Sequence, residues 1–211
     1  MSAAVAVGSS ERWGFVELVK FVSGAAVLGA EIAAARLIAP AFGASTVVWA
    51  NTIAIVLVAL AGGYWLGGRL ADRHPTEQAM ARGALIGAAM IALIPFVGIP
   101  LLDLTEDRLG EFSGSLVVGL ILLAPPVLVL GALAPWAIRL RVTAVSTSGD
   151  ITGRLYALST AGGLVGNFAA ALFLIPWVGT RWTFLICAAL LAVVVLPKAC
   201  CRQGIPRSES Y

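Results

Sequence analysis

The residue of this sequence with the most chemical potential is a carboxylate set inside an apolar run. Glu31 follows Gly24-Ala25-Ala26-Val27-Leu28-Gly29-Ala30, and counted from Phe21 at 1.5 Å per helical residue it sits about 15 Å into the apolar layer. An acidic side chain at mid-membrane costs roughly 2.5–3.5 kcal/mol on insertion scales, so it must face protein or a wet cavity. Two readings are open: a site for a cation or proton, or a carboxylate held for packing by a neighbouring donor. Arg36 is the obvious partner, but the rotation per helical residue turns it about 140° away from Glu31. By depth it matches Asn51 of the next run, with snorkelling to the interface as the other reading. Asn167 falls near the depth of Glu31, where the two could meet, and Tyr64 is a further polar neighbour. Together Glu31, Asn167, Tyr64, Arg36 and Asn51 are the candidate ligand-binding residues.

A second group gathers at the end of the second run, where Gly68-Arg69-Leu70-Ala71-Asp72-Arg73 places an acid between two bases in a short loop. Arg69, Asp72 and Arg73 form either a lock between neighbouring helices or a basic loop that only sets orientation. Machinery for soluble catalysis is not visible. His74 is the single histidine, and there is no nucleophile elbow, Cys/His metal spacing or glycine-rich strand-to-helix turn. No catalytic residue, metal ligand or cofactor is therefore assigned. Cys187, Cys200 and Cys201 read as incidental thiols.

These residues must be carried by helices in a bilayer. The 211-residue chain is 60% hydrophobic and 12% charged, with a mean hydropathy of +0.96, far from a water-soluble domain. Six apolar runs are long enough to cross, at about 15–40, 46–70, 79–102, 115–138, 155–178 and 182–196. The expected fold is an all-α integral membrane protein, a six-helix bundle over 15–196. It has a short leading segment, 1–14, and a polar, disordered tail, 197–211, beginning where Pro197 ends the last helix. The first two runs are joined by the turn 41–45 and read as a hairpin. Pro125-Pro126 should kink or break the fourth helix, which either lines a wet cavity or is purely structural. Gly162 with Gly166, Gly63 with Gly67 and Gly83 with Gly87 are small-xxx-small faces for close helix approach. Trp13, Trp49, Trp136, Trp177 and Trp182 fall near run ends, as interfacial anchors do.

Charge sets the orientation. All but Arg36, Arg108 and Arg181 of the 14 Lys and Arg fall on one side of this layout, while Asp103, Glu106, Asp107 and Glu111 crowd one loop of the other. Both termini are thus expected in the cytoplasm, with the chain in the plasma (inner) membrane. The net charge of +3 reports this asymmetry rather than a nucleic-acid partner. The first run is too long and too charged, with Glu17, Lys20 and Glu31, for a cleavable signal peptide.

Segment by segment, the sequence resembles a known family. Gly24 to Glu31, Ala35-Arg36-Leu37-Ile38-Ala39-Pro40 and Phe42-Gly43 are similar to the first helix of membrane-embedded spermidine synthase-like proteins. Gly63 to Arg73, Gly153-Arg154-Leu155-Tyr156-Ala157-Leu158-Ser159-Thr160, and Ile175-Pro176 with Gly179-Thr180-Arg181 resemble the same family in the same order. The Arg69–Arg73 loop also resembles the inner loop between the second and third helices of major facilitator transporters, half of which is likewise six helices with both ends inside. The resemblance implies polyamine metabolism, and a soluble aminopropyltransferase-like domain that would follow the bundle but has no counterpart here. It thus implies a non-catalytic membrane module that binds or passes a polyamine or related small cation at Glu31 and works with a separate soluble synthase. The alternative is an independent secondary transporter acting as a homodimer. A third reading is a scaffold whose basic face docks a partner or anionic lipid.

Overall fold

The computed structural model describes residues 14–200 of the chain. Expectations placed on Trp13, Cys201 and the tail beyond residue 200 lie outside the described residues.

Apolar runs too long for a globular core become helices because a bilayer offers backbone groups no partner but their own chain. α1 (Phe15–Phe42), α2 (Thr46–Arg73) and α3 (Glu77–Thr105) are single helices and form the first three spans. α4 (Glu111–Gly131) and α5 (Leu133–Arg141) make the fourth. After a 3-10 turn, α6 (Ser148–Phe168), a π-helical segment (Ala169–Leu174) and α7 (Ile175–Val178) make the fifth, and α8 (Thr180–Cys200) is the sixth. All six are long and apolar enough to cross a bilayer, and there is no strand among the described residues. The chain is an integral membrane protein.

Local chemistry sets the ends. Ser45 caps α2 by accepting from the backbone N–H of Val47 and Val48, and Thr76 caps α3 by accepting from Ala79. α1 and α7 each stop at a glycine with positive φ, Gly43 at 84° and Gly179 at 87°, a backbone that favours glycine.

Proline acts differently from the expectation. α4 runs as helix through Pro125 and Pro126, and the fourth span is interrupted only at Ala132, whose dihedrals stay helical. Pro135 has no N–H to offer the Gly131 carbonyl, and α2 presses on this stretch so closely that a Cβ on Gly63 or Gly67 would collide with Leu128 or Ala132 backbone. In the fifth span Pro176 removes the donor that Leu172 would use, and the helix widens to a π turn before it. α8 continues past Pro197 to Cys200, its last turn tied down by Lys198, whose Nζ lies 2.7 Å from Glu77 of α3.

The first two spans, although joined by a three-residue turn, are not each other's main partners. α1 packs chiefly on α6, α2 on α4, and α3 on α8, with α1·α8 and α3·α4 next. Exchanging spans 1, 2, 3 for spans 4, 5, 6 maps these pairings onto one another, so the bundle is two three-span halves in equivalent packing. Glycine makes both intimate contacts possible: Gly24, Gly162 and Gly166 join α1 to α6, and Gly63, Gly67 and Gly131 join α2 to α4, with almost no room for a Cβ. Gly83 is different, since a Cβ there would meet only Leu133 at an ordinary 3.6 Å. The core between the halves is mostly small and branched: Ala30, Ala33, Ala34, Ile38, Val118, Leu123, Phe184 and Leu191 are fully or almost fully buried.

Candidate functional site

Polar side chains close the bundle at both ends and leave a gap between. On the face bearing Phe15 and Cys200, called here the terminal face, ion pairs among the described residues join different spans. Arg141 donates to Glu17 at 2.5 Å, Lys198 to Glu77 at 2.7 Å, and Arg139 Nε stands 3.4 Å from Asp72. Trp136, expected as an interfacial anchor, is instead buried, and its indole N–H donates to the His74 carbonyl at 3.2 Å. It braces the loop from within. The three charges expected in this loop lie apart: Asp72 faces Arg139 of the fourth span, Arg69 stacks on Trp65 one turn back with 3.8 Å to the ring centroid, and Arg73 is exposed. The exposed pairs, Arg139–Asp72 and Lys198–Glu77, are worth about 0–1 kcal/mol each, whereas Arg141–Glu17 is partly buried. The Glu17 and Glu77 partners were not legible, because the tie depends on which helices lie side by side.

At the opposite face Ser45 donates to the Glu111 carboxylate, joining the first turn to the start of α4. Nearby, Asn51 is buried and spends both amide hydrogens on α4, at 3.0 Å to the Phe112 carbonyl and 2.9 Å to Ser115 Oγ. Arg36 is exposed and has no hydrogen bond to Asn51; it borders a hollow of about 310 Å³ with Ile32, Val48, Trp49 and Ala171. Depth matched the pair, but azimuth separated it.

Between these ends, α1, α2, α4 and α6 line a half-open cavity of about 220 Å³. Its polar lining is Lys20 and Ser23 from α1, Tyr64 from α2, and Tyr156, Ser159 and Thr160 from α6; Val27, Leu28, Leu60 and Leu130 supply the apolar walls. Tyr64 is the one expected ligand residue placed here. Lys20 is the residue that sequence reasoning missed. It is only 5% exposed, although its position five residues inside the first span suggested no more than one of the basic residues that set orientation.

Glu31 and Asn167 are both half-buried, and no hydrogen bond joins them. Glu31 does not line the cavity, but it lies nearly two full turns beyond Gly24 on the same stripe of α1 that the cavity uses. Among the described residues, no three of His, Cys, Asp and Glu gather where they could hold a metal ion. Cys187 is buried against Gly29.

The fold and cavity define a class: a polytopic helical membrane protein with a largely apolar cavity, carrying a few polar side chains, between its two halves. Comparison with protein-family models, with curated proteins and with solved structures finds no match to this chain.

Proposed function

We propose that this chain is a membrane-embedded binding and translocation module for a small polar solute, in the plasma membrane with both termini cytoplasmic, resembling half of a major facilitator transporter. One observation carries the reading: the cavity is walled by two spans from each of the two equivalently packed halves, α1 and α2 against α4 and α6. A site at such a seam changes shape whenever one half tilts against the other, which is the geometry alternating access uses. The outer faces of α2 and α6 are apolar and unfilled, with Leu57, Val58, Leu164 and Phe168 all exposed. They suit a second copy that would complete a transporter from two halves.

A second reading keeps the polyamine chemistry that the resemblance to spermidine synthase-like proteins implies, with a separate aminopropyltransferase-like partner. Glu31 favours it, as a half-buried carboxylate in mid-span with no ion-pair or hydrogen-bond partner among the described residues, in line with the cavity.

Proteoliposomes of the full chain, loaded with labelled organic acids or with labelled spermidine, separate the two. Protein-dependent flux of either solute supports the module, and spermidine flux that Glu31→Gln reduces about tenfold or more selects the polyamine reading. Folded protein that moves neither, yet copurifies with a soluble aminopropyltransferase-like protein, would replace translocation with the split-synthase assembly.

A further inference from the structure

We propose that the cavity between the halves is a site for an anionic group, a carboxylate or phosphate, with the Lys20 ammonium as its anchor. This rests on the reading of the cavity as a solute site and names the class of solute. Lys20 is 5% exposed and has no hydrogen-bond or ion-pair partner among the described residues. The nearest acid on its helix, Glu17, is held by Arg141 at 2.5 Å. No carboxylate lines the cavity, and on the other side of Lys20 a narrow crevice is lined by Ala134, Ile138, Leu155 and Tyr156, again with no acidic group. A lone ammonium out of water is strongly unfavourable unless something neutralises it. The described residues supply no counter-charge, but they do supply the remaining parts of an anion site. Tyr64, Tyr156, Ser159 and Thr160 bring four hydroxyls to the same space, each able to donate to an anion's oxygens. Ser23 is already committed, donating to the Lys20 carbonyl at 3.1 Å. A volume of about 220 Å³ takes a small molecule rather than a polymer. The tyrosines are 40% and 46% exposed, so they stand at the mouth while the charge lies at the back.

The anionic group has two sources, a free small anion or the headgroup of an anionic lipid reaching in between α2 and α6. Thermal unfolding of the purified full chain in detergent, with succinate or inorganic phosphate replacing chloride at constant ionic strength, reads the first. Native mass spectrometry of phosphatidylglycerol adducts reads the second. The expected result is a ligand-dependent rise in midpoint, or retained lipid, that Lys20→Arg preserves and Lys20→Met weakens, with affinity falling about ten- to a hundredfold in Lys20→Met. Without ligand, Lys20→Met should melt no lower than wild type, because the variant loses an unpaired buried charge. Should it fail to fold, Tyr64→Phe with Tyr156→Phe weakens the same binding and replaces it as the test. Binding unchanged in all these variants, or no binding of any anion to folded wild type, overturns the proposal. Anion binding without flux in proteoliposomes overturns translocation and leaves the anion site standing.

Discussion

Asn51 shows what a single polar residue does in this bundle. A buried amide in a bilayer has no water to fall back on, so its orientation is settled by whichever backbone or hydroxyl comes within reach. Here that is α4, through Phe112 and Ser115. Interhelical hydrogen bonds in membranes average about 0.6 kcal/mol, so Asn51→Ala should cost about 1–2 kcal/mol in reversible unfolding from detergent or bicelles. Its coupling partner is the informative part. Asn51→Ala and Ser115→Ala should be non-additive, since they break one contact, whereas Asn51→Ala and Arg36→Gln should add within about 0.5 kcal/mol. Depth along a helix is legible from residue counting, and it placed Glu31, Arg36 and Asn51 on their spans. Rotation about the axis relative to a neighbour is not legible, because nothing in the sequence says which neighbour. The same gap hid Lys20: the sequence shows a lysine near a span's end, and only the packing of α1 between α2, α4 and α6 shows that its side chain is buried against the cavity.

Helices themselves were readable almost to their ends, since hydropathy runs of bilayer length leave little choice of structure. Their breaks were not. Pro125-Pro126 carries the stronger local signal, yet the helical bonding is interrupted six residues later, where α2 and α4 touch backbone to backbone and Pro135 leaves the Gly131 carbonyl without its donor. Tertiary contact chose between two local weaknesses. The glycine pairs sort on the same physical ground. Gly63 and Gly162 face backbone atoms with no space for a methyl group, so Gly63→Ala or Gly162→Ala must push two helices apart. Each should cost about 1–3 kcal/mol as overpacking. Gly83 has an ordinary van der Waals neighbour instead. Gly83→Ala should then stabilise the protein by up to about 1 kcal/mol through helix propensity alone. Melting all three variants side by side checks the contrast; a Gly83→Ala loss as large as that of Gly162→Ala would mean that spacing and not contact decides.

For the molecule as a whole, hydropathy counts six spans, but the sequence order of the spans suggested hairpin neighbours where the structure pairs first with fifth and second with fourth. Packing partners in a bilayer are selected by small-residue complementarity and not by connection length, which is why the glycine faces were a better guide than the turns. The same six-span arrangement sharpens the expected orientation. The ion pairs from Glu17, Asp72 and Glu77 put the start of α1, the end of α2, the start of α3 and the ends of α5 and α8 on one face. Asp103, Glu106, Asp107 and Glu111 sit at the other. Basic residues are retained on the cytoplasmic side during insertion, and acidic ones contribute little, so Arg139, Arg141, Arg69, Arg73 and Arg82 should hold the terminal face inside. A cysteine-free background carrying either Asp107→Cys or Ser146→Cys, treated on intact cells with a membrane-impermeant maleimide, reads this directly. Asp107→Cys should label at once and Ser146→Cys only after lysis. The reverse pattern would place the Lys20 end of the cavity outside, so that an anion would meet the site from the medium rather than from the cell.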